Sequence, residues 1–487
     1  MSLLSLYFIG LFPIITLINF IIPKAYRKFW LLLASIGLYL SGGVKAGVVL
    51  AVCILSTYLA ARFIDSKDGT TNRSASSAAD DEQQSSAGST PKVTPKTRSI
   101  RNRIIFILTV LLNISLIVMA RKFVSFGIVG ISFFTLQAIS YVADVYGGKI
   151  QSEKNVIEYA LFVSMFPTVT SGPITRAGVV LPQIKSGCDF DYAKARKGFA
   201  MILGGFLMKL AIADRIKVMV DTAFSQYASL AGAAVLFGVM LYGIQLYCDF
   251  AGYSLIAIGA AKILGFEVGD NFRQPYLSES IGDFWNRWHI SLSSWLKDYV
   301  YIPLGGNRRG VGRKCFNLFV TFAISGIWHG AGLSYLCWGL IHGFYQVVGA
   351  LVGKRPKRGP IGRICGIIGT FLLVDIAWLP FRAESMTQVI GILRRVFTAF
   401  NIKEMTYYGQ YMLGIDVPGA ICLALALAIL LMTDIMHEKG KYIFDILNRR
   451  NLTPVRWLLY LVLVMVVIGI SVKYCETSGA NFIYAGF

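Results

Sequence analysis

The chain is poor in charged residues, in acidic residues and in histidine. Only 15% of its 487 residues are charged, whereas a soluble domain carries roughly a quarter, so a soluble globular protein is excluded. Hydrophobic residues make up 55%, and many apolar runs between residues 3 and 472 approach the roughly 20 residues that cross a bilayer as a helix. Because alternation with the period of a strand is absent, the pattern predicts an all-α polytopic membrane protein with about eleven crossings.

Acidic residues are outnumbered by basic ones, 26 against 47, which gives a net charge of +21. Most basic residues lie in short loops between apolar runs, as expected when positive loops stay in the cytoplasm. We therefore predict that the positive charge reflects insertion in a lipid bilayer. We predict no nucleic-acid partner.

The cysteines form no C-x-x-C pair and show no metal-ligand spacing. Several lie within apolar runs, where cysteine behaves as a small hydrophobic residue. We predict no metal site and no bound cofactor. The eight are Cys53, Cys188, Cys248, Cys315, Cys337, Cys365, Cys422 and Cys475.

The N-terminal region lacks the basic start and the cleavage site of a signal peptide, so residues 3–22 are predicted to be a retained first span. Lys24, Arg27 and Lys28 follow it, which predicts an extracytoplasmic N-terminus. Residues 66–100 are polar and lack aromatics, which predicts a disordered cytoplasmic loop. With no internal repeat, we predict a single domain over 1–487, in which the glycine-interrupted stretch 316–352 is short or re-entrant.

Histidine occurs four times, and two of the four lie in unusual blocks. His289 ends the run FWNRWH (284–289), and His329 lies within SGIWHG (325–330). An ionisable side chain in hydrocarbon is costly and is a functional candidate by default, and imidazole accepts and returns protons near pH 7. We place 284–300 on one helix with tryptophans on one face. His289 is equally compatible with an incidental position on an interfacial anchor.

Polar neighbours of the two histidines are candidates for supporting roles. Asn286 precedes His289 by about one helical turn, and Ser325 precedes His329 by one turn. His342 follows in an apolar stretch, where a functional ring and a structural hydrogen bond are equally plausible. His437 lies beside charged residues, and solvation explains it.

Two further features carry charge near apolar segments. Asp249 lies in a polar stripe with Gln245 and Tyr253 and must be paired or face a cavity. Arg308 and Arg309 follow a turn rich in proline and glycine, and could hold phosphates of a nucleotide-like donor. An ordinary positive loop is the more economical explanation for the two arginines.

These blocks together resemble the membrane-bound O-acyltransferase (MBOAT) family, and most closely its bacterial branch that includes the alginate O-acetylation membrane protein. A more distant resemblance is to the membrane protein of teichoic-acid D-alanylation. The resemblance covers residues 120–390 well and the flanks loosely. The matching strings are ISFFTLQAISY (131–141), SGPI (171–174), DFAGYS (249–254), DFWNRWHISLS (283–293), the 301–310 loop, GIWHGA (326–331) and NFIY (481–484).

The resemblance implies a ring of helices around a central funnel, with His329 as the catalytic histidine and His289 as the second active-site histidine. It implies transfer of an acetyl group from a cytoplasmic thioester, acetyl-CoA, to an exported or cell-surface polysaccharide. The implied location is the bacterial cytoplasmic membrane. The implied partners are an extracytoplasmic SGNH-hydrolase-like acetyltransferase and a polysaccharide synthase complex.

The residues agree with this chemistry, because acyl transfer needs a base for the hydroxyl and donors for the oxyanion. We assign His329 as the base, let His289 share that role or stabilise charge, and take Asn286 as a polar supporter. Two alternatives stay open. One is D-alanyl transfer to teichoic acid from a carrier protein, and the other is a non-catalytic transporter or flippase.

Overall fold

The computed structural model describes residues 6–65, 99–122, 130–353, 359–406, 414, 416–442, 445–446 and 452–474. All but the last two residues of the predicted loop 66–100, and the string at 481–484, lie outside these residues. The described residues fold as α-helices joined by loops, with short π-helical and 3-10 segments and no strand. The predicted all-α class is confirmed.

The chain divides into two compact units. The first comprises Gly10–Thr170 and Ile174–Asp189, and the second comprises Leu3–Ile9, Ser171–Pro173 and Phe190–Phe487. The prediction of a single domain over 1–487 stays a prediction.

The first unit is built around one almost fully enclosed helix, which we call α5 (Ile131–Tyr146). Fourteen of its 16 residues are buried. Gly130 precedes it with a φ of 82°, and a Cβ there would lie 2.3 Å from the carbonyl oxygen of Val169, so glycine is required. The helices of this unit are α1 (Leu6–Ile21, from Gly10 onward), α2 (Lys24–Leu40), α3 (Val44–Asp65), α4 (Ile100–Lys122), α5, α6 (Val156–Ser164) and α7 (Ala177–Ser186).

The second unit contains both histidine blocks. Its helices are α8 (Tyr192–Phe206, continued by a π-helical turn Leu207–Ala213), α9 (Asp214–Ser225), α10 (Gly232–Ile263), α11 (Ile281–Arg287), α12 (Ile290–Leu296, continued by a π-helical turn Lys297–Tyr301), α13 (Gly310–His329), α14 (Leu333–Val352), α15 (Pro360–Arg382), α16 (Met386–Thr398), α17 (Val417–Glu438) and α18 (Thr453–Tyr474).

Helices α8 and α10 approach closely along four glycines, Gly198, Gly205, Gly252 and Gly259, which we call the glycine seam. A Cβ at Gly205 would lie 2.5 Å from the carbonyl oxygen of Gly252, and one at Gly198 would lie 2.5 Å from that of Gly259. The seven-residue spacing brings each glycine to the same face after two turns. Small residues let backbones in a membrane meet directly, where dispersion rather than the hydrophobic effect holds helices together.

Six of the described helices are long and apolar enough to cross a membrane, by length and composition: α3, α4, α10, α14, α15 and α17. Two shorter apolar helices span Phe8–Ile21 and Thr453–Gly469. The polytopic membrane class is confirmed, whereas the figure of about eleven crossings stays a prediction. An apolar stretch need not be one helix: α6 ends at Ser164, and residues 165–174 after it are turns and loop.

Candidate active site

The segment 284–300 is not one helix, contrary to the sequence prediction. Helix α11 ends at Arg287 and α12 begins at Ile290, and His289 between them has a φ of 44°. That left-handed conformation is uncommon for a residue other than glycine and is typical of functional sites. Main-chain bonds to a neighbouring segment replace the helical ones: Arg273 N–H donates to Arg287 O at 3.0 Å, and Ile290 N–H to Asn271 O at 2.9 Å.

The ring of His289 is 1% exposed. Its Nδ1 lies 3.1 Å from Oδ1 of Asn271. The Phe250 ring meets it edge to face at 4.7 Å between centroids, and Trp328 lies at 6.4 Å. Burial lowers the pKa of His289, which lies outside the membrane-spanning helices, to about 3, so the ring is neutral at pH 7.

His329 is the last residue of α13 and is 3% exposed. Its ring centroid lies 4.7 Å from that of Trp328, 4.9 Å from Trp338 and 5.1 Å from Phe381. Trp328 therefore contacts the rings of both predicted catalytic histidines. The structure brings His289 and His329 together around one indole, although forty residues separate them in the sequence.

Five of the chain's eight tryptophans pack around the histidines, and we call these five the tryptophan cluster. His342 joins the cluster, since Trp285 donates its indole N–H to Nδ1 of His342 at 3.3 Å. The sequence left a structural hydrogen bond open for His342, and the structure contains one. Large aromatic rings exclude water, which strengthens electrostatic interactions inside the site. The five are Trp285, Trp288, Trp328, Trp338 and Trp378.

Of the two polar supporters predicted from helical spacing, one lies near its histidine and the other does not. Ser325 is 1% exposed and lies one turn before His329 on α13, as expected from the spacing. Asn286 is exposed on α11, because the helix ends before it can bring Asn286 and His289 onto one face. The amide that contacts His289 is that of Asn271, so Asn271 replaces Asn286 in this role.

Asp249 is paired, one of the two states that its burial required. Its Oδ1 lies 2.5 Å from Nζ of Lys209, and that ammonium also lies 2.6 Å from Oδ1 of Asp214. Lys209 and Asp249 are 2% and 1% exposed. The π-helical turn after α8 carries Lys209. Because the lysine stands in an apolar run, nothing in the sequence pattern indicated that it faces Asp249.

Arg308 and Arg309 do not join the histidines. Both are exposed and immediately precede α13, whereas His329 is its last residue. At 1.5 Å per residue the helix separates them by about 30 Å. A donor held by these arginines would have to extend along α13 to reach the site.

A cavity of about 1730 Å³ lies within the second unit, between α8, α10, α17 and α18. Its walls are mainly apolar, and Asn271, Ser254 and Phe272 form part of them. The residue whose amide contacts His289 is therefore next to the cavity. Within the described part of the chain, no group of three or more histidine, cysteine or carboxylate side chains could hold a metal ion.

One residue that contacts the candidate catalytic histidines, Asn271, escaped the sequence reasoning. Asn271 meets His289 through a loop 18 residues earlier, and a contact of that kind leaves no periodic signal. The string QPYL after Asn271–Arg273 did carry a hint, since proline and polar residues after an apolar helix mark a loop.

Comparison with known proteins relates this chain to one family of membrane proteins. The model of the membrane-bound O-acyltransferase family matches residues 44–358. The protein named probable alginate O-acetylase AlgI of Pseudomonas putida is 41% identical over 261 residues, which is 53% of either chain. The peptidoglycan O-acetyltransferase of Helicobacter pylori is 34% identical over 292 residues, 54% of this chain and 55% of its own.

The teichoic acid D-alanyltransferase of Bacillus subtilis is 32% identical over 227 residues, 44% of this chain and 56% of its own. This chain thus spans about half the length of the curated relatives that it matches. The family match covers well over half of the chain and includes both histidine blocks. The chain belongs to the membrane-bound O-acyltransferase family.

Proposed function

We propose that this chain is an O-acyltransferase that passes an acetyl group from a cytoplasmic thioester, acetyl-CoA, across the membrane for O-acetylation of an exported or cell-surface polysaccharide. The observation that carries the proposal is the packing of His289 and His329 against Trp328. Relatives named for O-acetylation of alginate and of peptidoglycan support the choice of acetyl group and acceptor.

In the proposed reaction the acceptor hydroxyl attacks the carbonyl carbon of the thioester. The C–O bond forms as the C–S bond breaks, and the hydroxyl proton passes to an imidazole, His329 or His289, which returns it to the leaving thiolate. A positioned base of this kind contributes roughly 10²–10⁴-fold in rate. The tryptophan cluster keeps water, the competing acceptor, away from the thioester. The same chemistry serves direct transfer and transfer through a partner protein.

The charge distribution in the second unit supports a cytoplasmic donor. Helices α13 and α14 form a hairpin, so Arg308 and Arg309 lie at the end where α14 finishes. Helix α15 begins at that end, and Arg363 on it pairs with Glu438 at the end of α17. A concentration of basic residues at one end is typical of the cytoplasmic side. The apolar cavity beside Asn271 would give the thioester arm a path towards His289.

The remaining parts of the proposal concern surroundings that lie outside the chain. We propose the bacterial cytoplasmic membrane as its location, with the N-terminus on the outer side. We propose a polysaccharide synthase complex and an extracytoplasmic SGNH-hydrolase-like acetyltransferase as its partners. The helices long enough to span a membrane support a membrane location.

The test is to replace His329 by alanine and to measure polymer acetylation in membranes supplied with labelled acetyl-CoA. We expect a loss of at least about 10²-fold, with expression and detergent elution unchanged. Asn286→Ala is the control, since Asn286 is exposed and close in sequence to His289. Unchanged acetylation in His329→Ala would contradict the catalytic role and leave a transporter or flippase as the better account.

D-alanyl transfer to teichoic acid is the second candidate, favoured by the relative of that name in Bacillus subtilis. The same membranes supplied with a D-alanyl carrier protein separate the two. Label that reaches polymer only from the alanyl carrier would replace acetylation by D-alanylation, with the same histidines in the same roles.

A further inference from the structure

The side-chain amide of Asn271 is fully buried and makes four contacts. Its Oδ1 lies 3.1 Å from His289 Nδ1, 2.9 Å from Ser291 Oγ and 3.3 Å from the backbone nitrogen of Ser291. Its Nδ2 donates to Ser254 Oγ at 3.0 Å. Asn271 is therefore tied to α10 on one side and to the start of α12 on the other.

The backbone nitrogen of Ser291 decides which way this amide faces. A main-chain N–H can only donate, so the atom of Asn271 that faces it must be the acceptor, Oδ1. The reverse orientation would set the NH₂ group against a donor and would leave a buried N–H without an acceptor, which is costly.

The same oxygen fixes the tautomer of His289. An amide oxygen has no hydrogen, so the nitrogen that bonds to it, Nδ1, must carry the proton. Since the ring is neutral at pH 7, its remaining lone pair lies on Nε2. The Ser291 hydroxyl lies 3.5 Å from Nδ1, but its single hydrogen is donated to Asn271 Oδ1 at 2.9 Å, so it does not donate to the ring. The aromatic rings packed against His289 include those of Phe250, Phe272 and Trp328, which are uncharged.

We propose that Asn271 is a positioning residue that holds His289 as the Nδ1–H tautomer, so that Nε2 accepts a proton during acyl transfer. The inference rests on the proposed function and deepens it. A neutral ring with its lone pair on Nε2 cannot stabilise an oxyanion by donating from that nitrogen. His289 therefore shares with His329 the task of accepting the hydroxyl proton, and other groups must stabilise the oxyanion.

The left-handed backbone at His289 supports this assignment. The bonds that Arg273 and Ile290 make across the two segments fix the backbone on either side of the ring. Asn271 then fixes the rotation of the ring itself. A base needs both constraints, because a proton is transferred only over hydrogen-bond distance.

The first measurement is independent of activity. Selective ¹⁵N-histidine labelling gives signals from only four residues, and His289→Gln identifies the pair that belongs to position 289. In the unaltered protein we expect a protonated Nδ1 and an unprotonated Nε2. A protonated Nε2 would overturn the proposal, whatever the activity of the protein.

The second measurement compares three variants in the acetylation assay. Asn271→Leu removes the acceptor at similar volume, so we expect a mixture of tautomers and a fall in kcat on the order of 10²-fold, with a smaller change in KM. Asn271→Asp keeps the acceptor oxygen, and we expect it to keep the tautomer and to recover most of the rate. Asn286→Leu is the matched control and should change neither quantity.

The outcomes separate the inference from the function on which it rests. If Asn271→Leu keeps the Nδ1–H tautomer, or loses no more rate than Asn286→Leu, the positioning role is wrong. If the unaltered protein transfers neither acetyl nor alanyl groups, the proposed function fails, while the tautomer measurement still decides whether Asn271 holds His289 as described. If Asn271→Leu does not fold, the tautomer of the unaltered protein still decides the inference, and loss of the Nδ1–H tautomer in Asn271→Asp, which keeps the acceptor oxygen, would contradict it.

Discussion

The glycine seam and the tryptophan cluster lie in the same unit and are built in opposite ways. Along the seam, two continuous helices meet backbone to backbone, and a buried ion pair between Lys209 and Asp249 lies beside them. In the cluster, α11 and α12 are short and α13 ends at His329, and large rings fill the space between the helices. The seam has no space for an added atom. In the cluster, the helices are interrupted, and the interruptions place the imidazole rings.

The comparison implies that changes in the seam should act on stability and changes in the cluster on chemistry. Small residues and ion pairs contribute through close contact, which is lost at once when an atom is added or a partner removed. Rings around a buried histidine act by keeping it neutral and oriented. Four measurements sharpen this division or break it.

The largest effect on stability is expected at the ion pair. Lys209→Met leaves the Asp249 carboxylate buried without its cation, and breaking a buried pair in this way costs about 3–5 kcal/mol. Thermal unfolding in detergent measures the loss. The double variant Lys209→Met with Asp249→Asn removes the two fully buried charges and should recover most of the loss, since the Asp214 carboxylate that remains is 18% exposed. A double variant as unstable as the single one would show that the pair is not the cause.

The glycine seam itself should respond to a single methyl group. Gly205→Ala places a Cβ 2.5 Å from the carbonyl oxygen of Gly252, and overpacking of this kind costs about 1–3 kcal/mol. Gly204→Ala, one residue earlier on the same helix, meets nothing within 4 Å and serves as the matched control. Equal unfolding temperatures for the two variants would contradict the description of the seam.

Low pH should reduce the free energy of unfolding, because His289 in the cluster is buried as a neutral ring. The unfolded chain binds a proton at this ring below its usual pKa near 6.5, whereas the folded protein does not until pH falls to about 3. Stability is therefore highest above 6.5 and falls as pH drops through that window, by about 1.4 kcal/mol at pH 5.5. The measurement is the stability of the unaltered protein and of His289→Gln as a function of pH, since the variant lacks the ring. If the two stability curves ran parallel over this pH range, the prediction would be wrong.

The smallest effect is expected at the basic end of α13, outside both regions. Arg308 and Arg309 are exposed, so replacing both by alanine should raise the KM for acetyl-CoA by at most about fivefold, with kcat unchanged. The rise should vanish at high salt, because exposed charges are screened. A fall in kcat without a change in KM would place these arginines nearer the chemistry than α13 allows.

Prediction from sequence succeeded where a residue type was unusual for its surroundings. A histidine in an apolar stretch is costly, and that cost marked His329 as a candidate; the structure confirms that it is buried, and its catalytic role stays a prediction. The buried Asp249 was likewise recognised as needing a partner. The helical class followed from the length of the apolar runs.

Prediction failed where a long-range bond competed with local periodicity. Trp285, Trp288 and Leu292 repeat at helical spacing, yet the helix breaks at His289, because the segment at Asn271 supplies other partners for its main chain. The same competition explains why Asn286 was taken as the polar supporter, while Asn271 was not considered. Lys209 is also an ionisable residue in an apolar run, and the same cost should have marked it; only the identity of its partner left no sign in the sequence.

The backbone of His289 has a consequence for any attempt to remove that ring. Asparagine and glycine accept a φ of 44° with little strain, whereas the alanine usually chosen for a knockout does not. Glycine at this position would relax the chain and leave a hollow of imidazole size beside Asn271. Small imidazoles added from solution could then occupy it, and the chemistry of the lost ring could be restored or withheld at will in a protein that is already folded.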